Sequence, residues 1–205
     1  MTDTKGRPAA TDQGTAAGEP VLRLDGKVYD DLASFLSHAR THTGAADLSG
    51  PAREKVESFL YREARLLDMG HYRAWIELLA PDFIYWIPTS ADASDARAEG
   101  SVNFDDRRRM IDRVALIETN FQWAQVPRSR VCRTLGNIEV FSGMAGAVRT
   151  RSVVTIWEYR AGNTQCFVGR QEHELVPGGD GLLIRRKIIG LLDCDQPQGN
   201  TTFIL

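Results

Sequence analysis

Trp123-Ala-Gln-Val-Pro-Arg-Ser-Arg-Val-Cys-Arg-Thr-Leu-Gly-Asn137 separates two parts of the chain with different periodicity. Pro127 cannot continue a helix and holds Val126 out of the helical region, so a helix arriving from upstream must stop there. A strand opens after it. Ser129, Arg130, Arg133 and Asn137 place polar groups along that strand among apolar neighbours, and Trp123 puts a large aromatic at the corner. A planar guanidinium suits bidentate pairing across an interface. The stretch therefore reads either as a structural corner with a solvated strand face or as a polar subunit contact. Arg149, Arg151, Arg185 and Arg186 add guanidinium groups to neighbouring strands.

Downstream of this corner, Arg130 to Phe141, Ala147 to Arg160, Thr164 to Val176 and Leu182 to Leu192 have strand character. Ser142-Gly143, Ala161-Gly162-Asn163 and Pro177-Gly178-Gly179-Asp180-Gly181 lie between them and tolerate the backbone angles of a reversal. Four antiparallel strands in meander order are predicted. Upstream, Gly50-Pro51 suits a helix start, and Val56, Phe59, Leu60, Ala64 and Leu67 recur at helical spacing as far as Gly70. A second helix from His71 carries Tyr72, Trp75, Ile76 and Leu79 inward and stops at Pro81, ahead of a strand over Asp82 to Pro88. Thr89 to Ser101 reads as a loop. Asn103 is the expected cap of a third helix, with Asp105 and Asp106 near its positive end and Met110, Ile111, Val114 and Ile117 inward. Helices ahead of a long bent sheet imply an α+β domain whose sheet curls around the long first helix and leaves a conical cavity.

Residues 1–20 contain no large apolar side chain after Met1 and are expected to form a disordered tail. Residues 21–50 form an extension, with a strand at Val21 to Leu24, a turn at Asp25-Gly26 and a helix over Tyr29 to Ala39. The main domain is expected over residues 51–205, which suits one core in a chain of 205 residues. A formal net charge of -2 gives no reason to expect a nucleic-acid partner. No apolar run reaches the length of a membrane span and the amino terminus lacks the apolar centre of a signal peptide, so a cytoplasmic location is expected.

Chemistry-bearing motifs are sparse. The four histidines, His38, His42, His71 and His173, have no cysteine within three residues, which excludes a Rieske cluster in this chain. Cys132, Cys166 and Cys194 are odd in number and lack a C-x-x-C spacing, so neither a disulfide framework nor a zinc site is indicated. No nucleophile elbow or phosphate-binding glycine loop is present. A two-histidine, one-carboxylate iron site from His71, His173 and Asp68 has no local ligand spacing to support it. Acid–base work inside the cavity would fall to Tyr61, Asp68, His71, Tyr85 or His173, none of which pairs with another in sequence.

Several segments together resemble the small (β) subunit of aromatic-ring-hydroxylating dioxygenases, within the NTF2-like or SnoaL-like superfamily. They are Phe59 to Asp68, Trp75 to Pro88, the pattern Trp123-Ala124…Pro127…Ser129-Arg130…Arg133…Asn137, then Arg170, Arg186 to Ile189, Leu192-Asp193 and Asn200 to Leu205. Cys132, Leu182 or Leu183, and the long amino terminus depart from the pattern without removing a catalytic group. The resemblance implies an NTF2-like (cystatin-like) cone with a strongly curved antiparallel sheet, and a subunit without metal or catalytic residues. It also implies a large α subunit as partner, bearing a Rieske [2Fe-2S] cluster and mononuclear Fe(II), in an α3β3 hexamer with a β trimer. The reaction implied is cis-dihydroxylation of an aromatic ring with dioxygen and electrons from NAD(P)H. Trp123, Pro127, Ser129, Arg130, Arg133, Asn137 and Arg186 are the expected subunit-interface residues. A free-standing dehydratase or isomerase of the same fold, and a ligand-binding module without catalysis, are the alternatives.

Overall fold

Val56, Leu60, Glu63 and Leu67 recur every three or four residues along α2 (Gly50–Asp68) and form its buried stripe. Glu63 takes the inward place that the sequence assigned to Ala64. The computed structural model describes residues 26–41, 44–119, 125–179, 181–197 and 202–205; the expected tail and the Val21 to Leu24 strand lie outside them. Ser49 precedes α2 in an extended conformation, Pro51 sits in its first turn, and Gly70 ends the segment at φ +69, a left-handed conformation that favours glycine.

α3 (Tyr72–Ile76) is short because Leu79 already pairs with Ile184 in the sheet. Pro81 does not stop that helix. It lies inside β1 (Leu79–Pro88), where the register with the neighbouring strand breaks between Leu79 and Ile84 and no ladder N–H is required. A second correction follows directly. Ser101 to Asp106 forms β2, antiparallel to β1, and the cap of α4 (Arg107–Glu118) is Asp106, whose carboxylate accepts from the Arg109 N–H at 2.8 Å. Asn103 instead accepts from Arg113 at 2.7 Å.

β3 (Arg130–Ser142), β4 (Val148–Arg160), β5 (Asn163–Gly178) and β6 (Gly181–Leu191) form the expected meander. The full order is β2-β1-β6-β5-β4-β3. The sheet is mixed: β1 runs parallel to β6, so the expectation of wholly antiparallel pairing is corrected at that one junction. Asn137 has φ +49 where the β3–β4 register shifts between Gly136 and Glu139, a bulge of the kind that bends a strand.

The inner face of the sheet carries the main core. Leu60, Trp75, Phe83, Tyr85, Met110, Ile156, Leu175 and Ile189 meet there, and Phe203, Ile204 and Leu205 are buried among them. On the outer face, α1 (Gly26–Thr41) packs Leu32, Phe35 and Leu36 on Ile84, Trp86 and Ile188. It crosses the strands. Tyr29 stacks on Phe104 of β2, Arg186 of β6 lies 5.7 Å over the Phe35 ring, and Arg151 of β4 donates to the Ala39 carbonyl.

Candidate functional site

Helical spacing on α2 and strand alternation on β5 and β6 turn three ionisable side chains into the same interior. Glu63 accepts from the Lys187 ammonium at 2.9 Å, and His173 Nε2 lies 3.1 Å from its other oxygen, a close approach without the alignment of a full hydrogen bond. Trp75 Nε1–H donates to Glu63 at 3.3 Å, and Thr150 Oγ1 lies 3.4 Å from His173 Nδ1. No side chain in this trio is more than 3% exposed. Burial by itself raises the Glu63 pKa, but Lys187 and His173 outweigh it and hold the carboxyl well below the usual carboxylate range. Burial pushes the Lys187 ammonium down from its ordinary value while Glu63 opposes the shift.

Such a cluster ties α2 to β5 and β6. Acid–base chemistry on a substrate also requires the groups to meet it, and here Trp75, Thr150 and the cluster's own members occupy the space around the carboxylate. Tyr85 is equally enclosed. Its hydroxyl donates to the Leu205 carbonyl at 3.2 Å, and burial drives its pKa far up.

The remaining residues weighed for chemistry are not brought together. Tyr61 is 47% exposed on α2, and His71 is exposed at the start of α3. Asp68 is held by Arg133, which donates to it from both its side chain and its backbone N–H, the latter at 2.9 Å. The same guanidinium donates to the Ile204 carbonyl. His173, His71 and Asp68 thus serve separate roles, and among the described residues no group of three or more His, Cys, Asp or Glu is placed to hold a metal ion. Cys132 and Cys166 are exposed free thiols and Cys194 is a buried one.

The residues expected at a subunit interface divide into two sets. Pro127, after a cis peptide bond, is exposed, as are Arg130 and Asn137, and the Arg130 guanidinium lies 4.6 Å over the Tyr159 ring. Ser129 is half-buried and donates to Glu158 at 2.5 Å, while buried Gln125 donates to Ser129 at 3.0 Å and to Thr202 at 2.7 Å. Arg133 and Arg186 are both covered, Arg133 on the inner face of the sheet and Arg186 on the outer face. The Arg133 side chain is 3% exposed, and Arg186 pairs with Glu174 beneath α1. Trp123 lies outside the described residues. Glu63 and Lys187 were not singled out as candidate site residues, although the Val56–Leu60–Leu67 stripe and the alternation of β6 both direct them inward.

The family model described as "Ring hydroxylating beta subunit" matches residues 62–195. The small oxygenase component of the p-cumate 2,3-dioxygenase system of Pseudomonas putida is 28% identical over 156 residues, covering 75% of this chain and 87% of that one. The β subunit of toluate 1,2-dioxygenase from the same organism is 31% identical over 143 residues, covering 67% and 88%. Among solved structures, the β subunit of benzoate 1,2-dioxygenase from Burkholderia mallei superposes with a TM-score of 0.62 at 25% identity, over 79% of this chain and 100% of that chain.

Proposed function

Since the chain belongs to the family of ring-hydroxylating β subunits, we propose that it is the structural small subunit of the terminal oxygenase component of an aromatic-ring-hydroxylating dioxygenase. It pairs with a large α subunit and self-associates as the trimer of an α3β3 assembly in the cytoplasm. The α subunit carries the Rieske cluster and the mononuclear iron. The residues here do not fit either iron group: His173 is engaged with Glu63 and Thr150, Asp68 with Arg133, and His71 lies apart from both. When loaded, the partner's iron supplies dioxygen activation, and the assembly performs cis-dihydroxylation of an aromatic ring with electrons from NAD(P)H.

The observation that carries this reading is the closed interior. Among the described residues, the buried Glu63 carboxylate is enclosed by Lys187, His173 and Trp75, and Phe203 to Leu205 are packed into the same core. A free-standing dehydratase or isomerase is not favoured, because it needs an open acid–base pair. Co-expression with the large subunit tests the proposal. One complex containing both chains, active on an aromatic ring only when both are present, is expected. A chain that never binds the large subunit, or that turns over a cyclic substrate alone, overturns it. Relatives named for p-cumate, toluate and benzoate make aromatic carboxylates the first substrates to try.

A further inference from the structure

On the outer face of the sheet, α1 and the segment joining β1 to β2 enclose a cleft over β6. Ile188 and Gly190, on the outward side of β6, form its floor, and Leu36 and Ala39 of α1 form a wall. Its volume is about 640 Å³, within the range of clefts that hold small organic ligands. α1 ends at Thr41, ahead of residues 62–195, so this wall comes from sequence outside the family match. Gly190 keeps the floor open. It stands opposite Arg170 in the β5–β6 ladder, and a side-chain carbon at Gly190 would meet nothing nearer than the Arg170 carbonyl at 4.0 Å. Its backbone is not left-handed, so the local conformation does not call for glycine.

Four charged side chains border the cleft: Asp92, Arg151, Arg170 and Glu172. Two of them are committed. Arg151 donates to the Ala39 carbonyl and lies 3.8 Å from Glu139, and half-buried Glu172, opposite it in the β4–β5 ladder, is engaged as well. The Arg170 guanidinium and the Asp92 carboxylate are exposed and have no hydrogen bond or ion pair among the described residues. Arg170 comes from β5 and Asp92 from the segment after β1, and these strands stand two interstrand spacings, about 10 Å, apart with β6 between them. A cation and an anion that do not meet each other thus flank an apolar floor.

We propose that this cleft binds a small amino carboxylic acid whose ammonium and carboxylate are held several ångströms apart by an apolar body. The carboxylate takes the Arg170 guanidinium, the ammonium takes Asp92, and the body lies on Ile188 and in the space left at Gly190, beside Leu36. A simple carboxylate gains Arg170 but meets Asp92 and Glu172 as like charges, which makes the ammonium part of the ligand. An α-amino acid carries both charges at one end and reaches only one wall. The site lies on the opposite face of the sheet from the Glu63 cluster and does not depend on the subunit role.

Calorimetric titration of the full chain with 6-aminohexanoate, hexanoate, hexylamine and leucine tests the site. The first should bind about tenfold or more tighter than the other three, since each of those reaches only one of the two charges. Arg170→Gln should reduce 6-aminohexanoate to the level of hexylamine, and Asp92→Asn to the level of hexanoate. Gly190→Leu fills the floor and should abolish binding while the chain keeps the parent's Tm. Bound ligand should also slow amide hydrogen exchange at Leu36 to Ala39, because it bridges α1 and the sheet. Absence of 6-aminohexanoate binding, equal binding of hexanoate or leucine, or undiminished binding in Gly190→Leu overturns the proposal. A chain that binds the ligand but never the large subunit overturns the subunit role and leaves this site standing.

Discussion

Glu63 stays ionised in the core only because Lys187 and His173 stand beside it, and the consequence is a pH dependence of known sign. Its folded pKa is held below the ordinary 4.5, so in acid the unfolded chain binds the proton more readily than the folded one. Stability from this group is therefore fully present above the ordinary value and is lost as pH falls toward the folded one. Urea unfolding at a series of pH values should show the midpoint falling through that acid range, and Glu63→Gln should flatten the fall. At neutral pH the same variant should lose about 3–5 kcal/mol, because it strands the Lys187 ammonium in the core. Lys187 acts with the opposite balance. Its pKa is lowered from 10.5, so holding it protonated costs stability at neutral pH, and Glu63→Gln combined with Lys187→Met should recover most of the loss. A loss under about 1 kcal/mol in the single variant would mean that water reaches the cluster. Arg133→Ala tests the second buried pair. It removes the guanidinium from Asp68, which keeps only the backbone N–H of residue 133, leaves the Ile204 carbonyl without that donor, and should cost about 3 kcal/mol, with faster hydrogen exchange at Phe203 to Leu205. Glu63 and Lys187 are 124 residues apart, and a lone polar residue in a periodic pattern looks solvated until the partner strand is in place.

α4 begins where β2 ends, with a single residue serving both elements. Asp106 pairs with Ile84 in the sheet and its carboxylate caps the helix through the Arg109 N–H. Asp106→Ala should cost about 1 kcal/mol and lower Tm by about 2–4 °C, whereas Asp106→Asn should keep most of the cap. Equal losses in the two variants would assign the effect to the strand pairing. The elements that were legible in the sequence are those whose apolar residues repeat over a long stretch. α2 shows about three helical turns of pattern, and β3 to β6 are long and bounded by glycine-rich turns. β2 is six residues with only Val102 and Phe104 apolar, too short and too polar to separate from a loop followed by a cap. Pro81 misled for a related reason. Proline is incompatible with a paired strand N–H, and only the sheet shows that the ladder is interrupted there.

The pairing of β1 with β6 brings residues 84–86 beside residues 186–188 in parallel, and neither segment carries a signal of which neighbour it takes. Alternation fixes which side chains of a strand face the core, but order and direction come from closing the whole sheet. The same limit applied to the arginines: the guanidiniums of Arg130 and Arg133 are near neighbours in sequence, yet one lies over Tyr159 at the surface and the other is spent on Asp68 and Ile204. A bulge and an alternation of faces decide between solvent and core: Pro127, Arg130 and Asn137 are exposed, with Ser129 half-buried behind them. At this scale the division of labour between subunits is itself testable. His71 is exposed and lies outside the buried cluster, so His71→Ala should leave turnover by the assembled oxygenase within about twofold, and its iron content per large subunit unchanged. Glu63→Gln at a temperature where the variant remains folded should likewise leave the rate per assembled complex unchanged, while lowering the temperature at which the complex dissociates. A fall in turnover of tenfold or more in His71→Ala, with assembly and iron intact, would move part of the chemistry into this chain.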